Sequence, residues 1–223
     1  MKRTKLRDRL LPTYTRGEEI TNMVTHIVGA SFGIAYLVLC VVFSAIHGNP
    51  WGVVGSSIYG ASVVCLFTLS SVYHGLIPPM AKKVMQVLDH CTIYFMIAGT
   101  YTPITLCSLR RENTALGWTV FGVVWGICAL AVTLTAIDLK KYNKFSMVCY
   151  IAMGWCIVFS ARPTVRALAA GGTAFLLIGG ILYTLGAVLY GVGKKRKYVH
   201  SVFHVFVVLA SLMHFFCIFF YVI

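Results

Sequence analysis

Long apolar runs separated by short charged clusters set the pattern of this chain. Reading between the charges gives seven apolar segments, at residues 23–46, 51–73, 84–107, 116–136, 145–161, 167–192 and 198–222. A helix needs roughly 20 apolar residues to cross the hydrocarbon core of a bilayer, and the fifth segment is the shortest. The pattern predicts an all-α fold. A basic tail at residues 1–19 precedes a bundle of seven transmembrane helices at residues 20–223. Every connection is short, so neighbours in sequence are expected to be antiparallel neighbours in the bundle.

Composition agrees with a bilayer as the surrounding solvent. Of 223 residues, 59% are hydrophobic and 25 carry a formal charge. That is too few to cover a soluble surface of this size. The net charge of +13 does not point to nucleic acid, because the basic residues cluster between apolar runs instead of forming a stripe. Clusters that flank membrane spans set orientation. Fifteen Lys and Arg fall on one side: six in the tail, Lys82 and Lys83, Lys140, Lys141 and Lys144, and 194–197. Four fall on the other: Arg110, Arg111, Arg162 and Arg166. The N-terminus is therefore expected in the cytoplasm and the C-terminus outside. That orientation is inverted relative to the hormone and odorant receptors that couple to G proteins. The last span has no lysine for a retinal Schiff base. The tail is polar and the first apolar run exceeds a signal-peptide core, so the first span is expected to direct insertion. The eight cysteines lie in apolar runs without a C-x-x-C pair and read as small buried hydrophobes. Gly29 and Gly33 form a G-x-x-x-G step read as helix packing, and Gly179 with Gly180 reads the same way. A homo-oligomer is left open.

Ionisable groups inside a bilayer are costly and face the bundle interior. Here they are His26, His74, Asp89, His90, His200, His204 and His214. His47, at the outer end of the first span, reads as a solvated loop residue. With the predicted topology, His74, Asp89, His200 and His204 arrive at one layer near the cytoplasmic face from three separate segments. His200 and His204 share one helix face at i and i+4, as do Ser70 and His74. Two imidazoles so placed can share a metal ion. Three neutral histidine nitrogens with a fourth position open are the ligand set of a catalytic Zn2+ site. Asp89 is either a fourth ligand or a carboxylate that holds the bound water. His26 and His90 lie near the same layer as supporting candidates. His214 lies about 21 Å from His200 at 1.5 Å per residue, too far to bind the same ion.

Five blocks carry a resemblance: E-I-T-N-M-V-T-H at 19–26, S-S-V-Y-H at 70–74, L-D-H-C-T-I-Y at 88–94, A-G-T-Y-T-P at 98–103 and H-S-V-F-H-V-F-V at 200–207. Together they resemble the hemolysin III family, of the progestin and adipoQ receptor superfamily, and more distantly the alkaline ceramidases. The resemblance implies a seven-helix bundle with a cytoplasmic N-terminus. It implies zinc on His74, His200 and His204, with Ser70 and Asp89 matching the serine and aspartate of the receptor branch. It also implies metal-dependent hydrolysis of lipids. The receptor branch carries a long cytoplasmic N-terminal region. The short tail here points instead to a bacterial member in the inner (plasma) membrane, in the branch linked to membrane homeostasis.

The expected function is a zinc-dependent hydrolase of a membrane-lipid amide or ester, in which Asp89 and Ser70 are the catalytic candidates. The competing expectation is a non-enzymatic sensor or receptor with structural zinc. A pore or cytolysin has fewer supporting residues, because Asp89 is the one predicted intramembrane carboxylate.

Overall fold

A computed structural model describes residues 3–192 and 196–223, so Lys2, Lys194 and Lys195 of the basic clusters lie outside the described residues. Among the described residues the regular structure is all helical. Helix α1 (Arg16–Ile46) starts in a capping box: the Thr15 hydroxyl accepts the Glu18 N–H, and Glu18 Oε2 accepts the Thr15 N–H at 2.8 Å. Helix α2 (Pro50–Gly75) starts with Asn49 as cap and proline at its first position, where the missing N–H costs nothing. Helix α3 (Pro79–Pro103) continues through a π-helical stretch (Ile104–Leu109) into one short turn (Arg110–Glu112). The wide turn follows Pro103, and the Thr102 and Thr105 hydroxyls donate back to the Ala98 and Tyr101 carbonyls there. Helices α4 (Thr114–Ile137) and α5 (Leu139–Trp155) are capped by Asn113 and Asp138. A 3-10 turn (Cys156–Ser160) leads into α6 (Ala161–Val192), which is kinked at Ala169. Helix α7 (Val199–Tyr221) ends the fold.

Among the described residues six helical stretches are long and apolar enough to cross a membrane: Arg16–Ile46, Pro50–Gly75, Pro79–Glu112, Thr114–Ile137, Leu139–Gly191 and Val199–Tyr221. Seven were expected, and the difference falls on the fifth segment, 145–161. Its helix, α5, has 17 residues and runs through the 3-10 turn into α6, so the two read as one stretch of 53 residues. The arginines that delimit the segment in sequence, Arg162 and Arg166, are good helix formers and do not end a helix. Pro163 falls in the first turn of α6, where proline is tolerated.

The bundle is organised around neighbouring pairs, α1 with α2, α2 with α3, α3 with α4 and α6 with α7, and α7 returns against α1. Small residues set the close approaches. A Cβ on Gly29 would lie 2.7 Å from the Phe67 ring, and one on Gly60 would lie 2.6 Å from the Leu37 Cα. The G-x-x-x-G step is thus used inside the chain, between α1 and α2. Tyr59, Val63, Phe67, Tyr94 and Ile104 are fully buried, whereas Val28, Val38, Leu130, Val188 and Phe220 are exposed. An apolar exterior around an interior that holds the polar groups fits lipid as solvent, and the chain is a multi-pass membrane protein.

The tail docks onto the helix ends. The Thr4 N–H donates to Asp138 Oδ2 at 2.7 Å, Arg3 Nε to the Ile137 carbonyl at 3.0 Å, and Lys83 Nζ to the Arg7 carbonyl at 2.6 Å. Burial alone would raise the Asp138 pKa, but the N–H groups of Thr4 and Lys141 together with Arg9 outweigh it and hold the pKa below the usual carboxylate value. Asp138 therefore does two jobs, capping α5 and anchoring the tail.

Overpacking the α1–α2 seam is expected to be costly. Gly60→Ala should destabilise the protein by about 1–3 kcal/mol, because the added methyl meets backbone that cannot rotate away. Gly122→Ala is the control. It faces outward with nothing within 4 Å, so thermal unfolding in detergent should be unchanged or slightly later.

Candidate metal centre

The last turn of α2 delivers His74, and the first turns of α7 deliver His200 and His204. Their approach is set at the start of α7. Tyr198, at φ 62, gives its N–H to Glu18 Oε1 at 2.8 Å, and Gly17 leaves room for the Tyr198 ring. The first turn of α1 thereby fixes where α7 begins. One nitrogen from each of His74, His200 and His204 falls within a group no wider than 4.8 Å. The Nε2 atoms of His200 and His204 are 3.1 Å apart. Two zinc-bound nitrogens at about 2.0–2.1 Å in tetrahedral array are separated by about 3.3–3.4 Å, so the spacing is close to that of a shared ion.

Two of these rings are held by α1. His74 Nδ1 lies 2.6 Å from Glu19 Oε2, and Lys82 Nζ donates to the other Glu19 oxygen at 2.7 Å. His204 Nδ1 lies 3.2 Å from the Asn22 carbonyl, and the Ser201 hydroxyl donates to Asn22 Oδ1 at 2.6 Å. His74 Nε2 is buried with no protein partner. A buried polar atom without a partner is uncommon, and here it is the ring nitrogen opposite the one that Glu19 holds. The donor set is three imidazoles without a thiol, since the eight free cysteines contribute nothing to the cluster. Zinc fits this set.

The remaining candidates divide. Asp89, Ser70, His26, His90, His200 and His204 all line one cavity of about 170 Å³. The carboxylate of Asp89 does not join the three-histidine group. It lies 3.5 Å from His90 Nδ1. His90 also has Nδ1 at 2.8 Å from the Gln86 carbonyl. His26 stacks on His204 with ring centroids 3.7 Å apart, and neither of its nitrogens has a partner. His214 sits in the same cavity with Nε2 on the Leu176 carbonyl at 3.2 Å. Its ring fills the space that a Gly179 Cβ would take. The cavity wall is mainly apolar, with Ile97, Ile104, Ile157 and Val207 among its residues, and Thr100, Thr184 and His214 add polar groups. His47 is exposed and bonded to the Phe43 carbonyl of its own helix.

Three contributors escape the sequence reading. Glu19 and Asn22 stand with His26 at i, i+3 and i+7, one face of α1, and that spacing was the available signal. Tyr14, in the tail, stacks on His200 at 5.0 Å with an interplanar angle of 15°. No periodicity marks it.

The model of the family described as haemolysin-III related matches residues 14–215. The chain is similar to Hemolysin-3 of Bacillus cereus, at 37% identity over 92% of each chain. It is similar to the Hemolysin-3 homolog of Bacillus subtilis (strain 168), at 34% identity over 93% of this chain and 96% of that one. It is more distantly similar to the human monocyte to macrophage differentiation factor, at 27% identity over 90% of this chain and 83% of that one. The match runs from Tyr14 on the rim through all three clustered histidines to Phe215, and the chain belongs to the haemolysin-III-related family.

Proposed function

We propose that the protein is a zinc-dependent hydrolase acting on an amide or ester of a membrane lipid, in the bacterial plasma membrane. The observation that carries the reading is the convergence of three imidazole nitrogens within 4.8 Å beside a cavity that Asp89 and Ser70 also line. In this reading the chain crosses the bilayer seven times, with α5 and its 3-10 turn as the short fifth crossing. The N-terminus is cytoplasmic, as the excess of 15 Lys and Arg over 4 supports. The centre then lies in the cytoplasmic layer, and the lipid arrives from the leaflet.

The residues divide the work. His74, His200 and His204 would hold the ion. Zinc supplies Lewis acidity and brings the pKa of water toward ~7. Asp89 takes the proton of the attacking water as it adds to the carbonyl carbon, and returns it to the leaving nitrogen or oxygen when that bond breaks. The buried Ser70 hydroxyl donates to the carbonyl oxygen as negative charge grows there. The apolar side chains of the cavity wall take the acyl chain. The alternative of structural zinc in a membrane-state sensor is favoured by one contact: Tyr14 lies flat on His200 and narrows the approach from the tail side.

Purified protein is expected to carry about one zinc per chain and to release fatty acid from a panel of sphingolipids and phospholipids. Asp89→Ala should keep its zinc, by elemental analysis, and lose ~10²–10⁴-fold in release. Zinc without hydrolysis of any panel lipid would favour the sensor. His204→Ala should lose the zinc itself and, with it, the rise in thermal unfolding temperature that added zinc gives the wild type.

A further inference from the structure

We infer that Glu19 is the positioning residue of the metal centre, the acceptor that fixes the His74 ring so that its Nε2 faces the ion. The inference rests on the zinc reading above and deepens it, naming a group that the ligand set alone does not include. An imidazole has two nitrogens on opposite sides of the ring, and in the neutral form one carries hydrogen while the other carries a lone pair. Whichever nitrogen meets a carboxylate keeps the hydrogen. Glu19 Oε2 sits 2.6 Å from His74 Nδ1, so Nδ1 donates and the lone pair lies on Nε2, the buried atom without a protein partner. The carboxylate is itself fixed. Lys82 Nζ donates to Glu19 Oε1 at 2.7 Å and lies 3.4 Å from the His74 carbonyl. A histidine, its carboxylate and a lysine therefore close a small ring of contacts across α1, α2 and α3.

Other roles for Glu19 fit the geometry less well. It is not a ligand, because its oxygens do not fall in the 4.8 Å group and are taken instead by His74 Nδ1 and Lys82 Nζ. It is not merely a surface acid, because its side chain is 18% exposed and both oxygens are engaged. Its neighbour shows the same arrangement for a second ligand. The Asn22 carbonyl takes His204 Nδ1 at 3.2 Å, which turns His204 Nε2 toward His200. Helix α1 thus supplies no ligand but sets which nitrogen two ligands present. Partners of this kind typically hold 10–100-fold of metal affinity.

The test is zinc affinity by chelator competition on the full chain in detergent, with thermal unfolding of the metal-free protein in parallel. Glu19→Ala should weaken zinc 10–100-fold while the metal-free protein unfolds within a degree or two of wild type. Glu19→Gln keeps one oxygen acceptor for His74 Nδ1 but sets its NH2 against Lys82, and should recover part of the affinity. Cobalt put in place of zinc should show an altered visible ligand-field spectrum in Glu19→Ala and a near-native one in Glu19→Gln. Wild-type affinity in Glu19→Ala would overturn the inference. So would a loss that Glu19→Gln does not recover and that tracks a fall in metal-free stability, since that is a packing role. If the wild type itself takes no stoichiometric zinc, the metal reading fails first and the positioning role goes with it.

Discussion

The contact on which this molecule depends is the hold that α1 keeps on rings belonging to other helices. An imidazole buried away from water keeps one nitrogen for chemistry only when the other is satisfied by the protein. Glu19 and the Asn22 carbonyl meet that need for His74 and His204. They are three residues apart on one helix, so a single rigid element sets two rings together. The capping box at Thr15 fixes the start of that helix, and Glu18, in the same turn, accepts the N–H of Tyr198, the residue at the N-cap of α7. Cap, helix start and ligand orientation form one continuous set of bonds.

Close helix approach serves the same end. The glycines of α1 bring it against α2, so the Glu19 carboxylate reaches a ring on the neighbouring helix directly. Gly179 does comparable work deeper down, where its missing side chain makes room for His214. The polar groups thus collect inside the bundle, and branched and aromatic side chains are left on the outside. Between them lies a mainly apolar cavity that also takes in His26, His200, His204 and His214.

Much of this was legible in the sequence because the bilayer makes rules strict. Charges could not sit in the spans, so His74, His200 and His204 stood out. Counting lysines gave each a depth, and the structure brings the three together. Asp89 was placed at the same layer by the same count and Ser70 by its i, i+4 spacing to His74, and both line the same cavity. Other features escaped for physical reasons. Glu19 and Asn22 sit before the apolar run of α1, where polar residues are ordinary, so composition did not mark them. The seventh separate span did not appear by length and composition, because arginines that mark a boundary in a hydropathy reading are compatible with continuous helix. Tyr14 acts through a tail that has no period to read.

Helix α1 has two lives at once. Its inner face carries Glu19, Asn22 and His26, while Val24, Ile27, Val28 and Ile34 stand exposed on its other side. The element that aims the histidines is therefore also one that the hydrocarbon presses on. A helix answers a change in bilayer thickness by tilting, at a cost of fractions of a kcal/mol per Å of mismatch. Because both anchoring groups ride on this one rod, a tilt turns two rings in the same stroke. A change in bilayer thickness that tilted α1 would thus move the partners of His74 and His204 together.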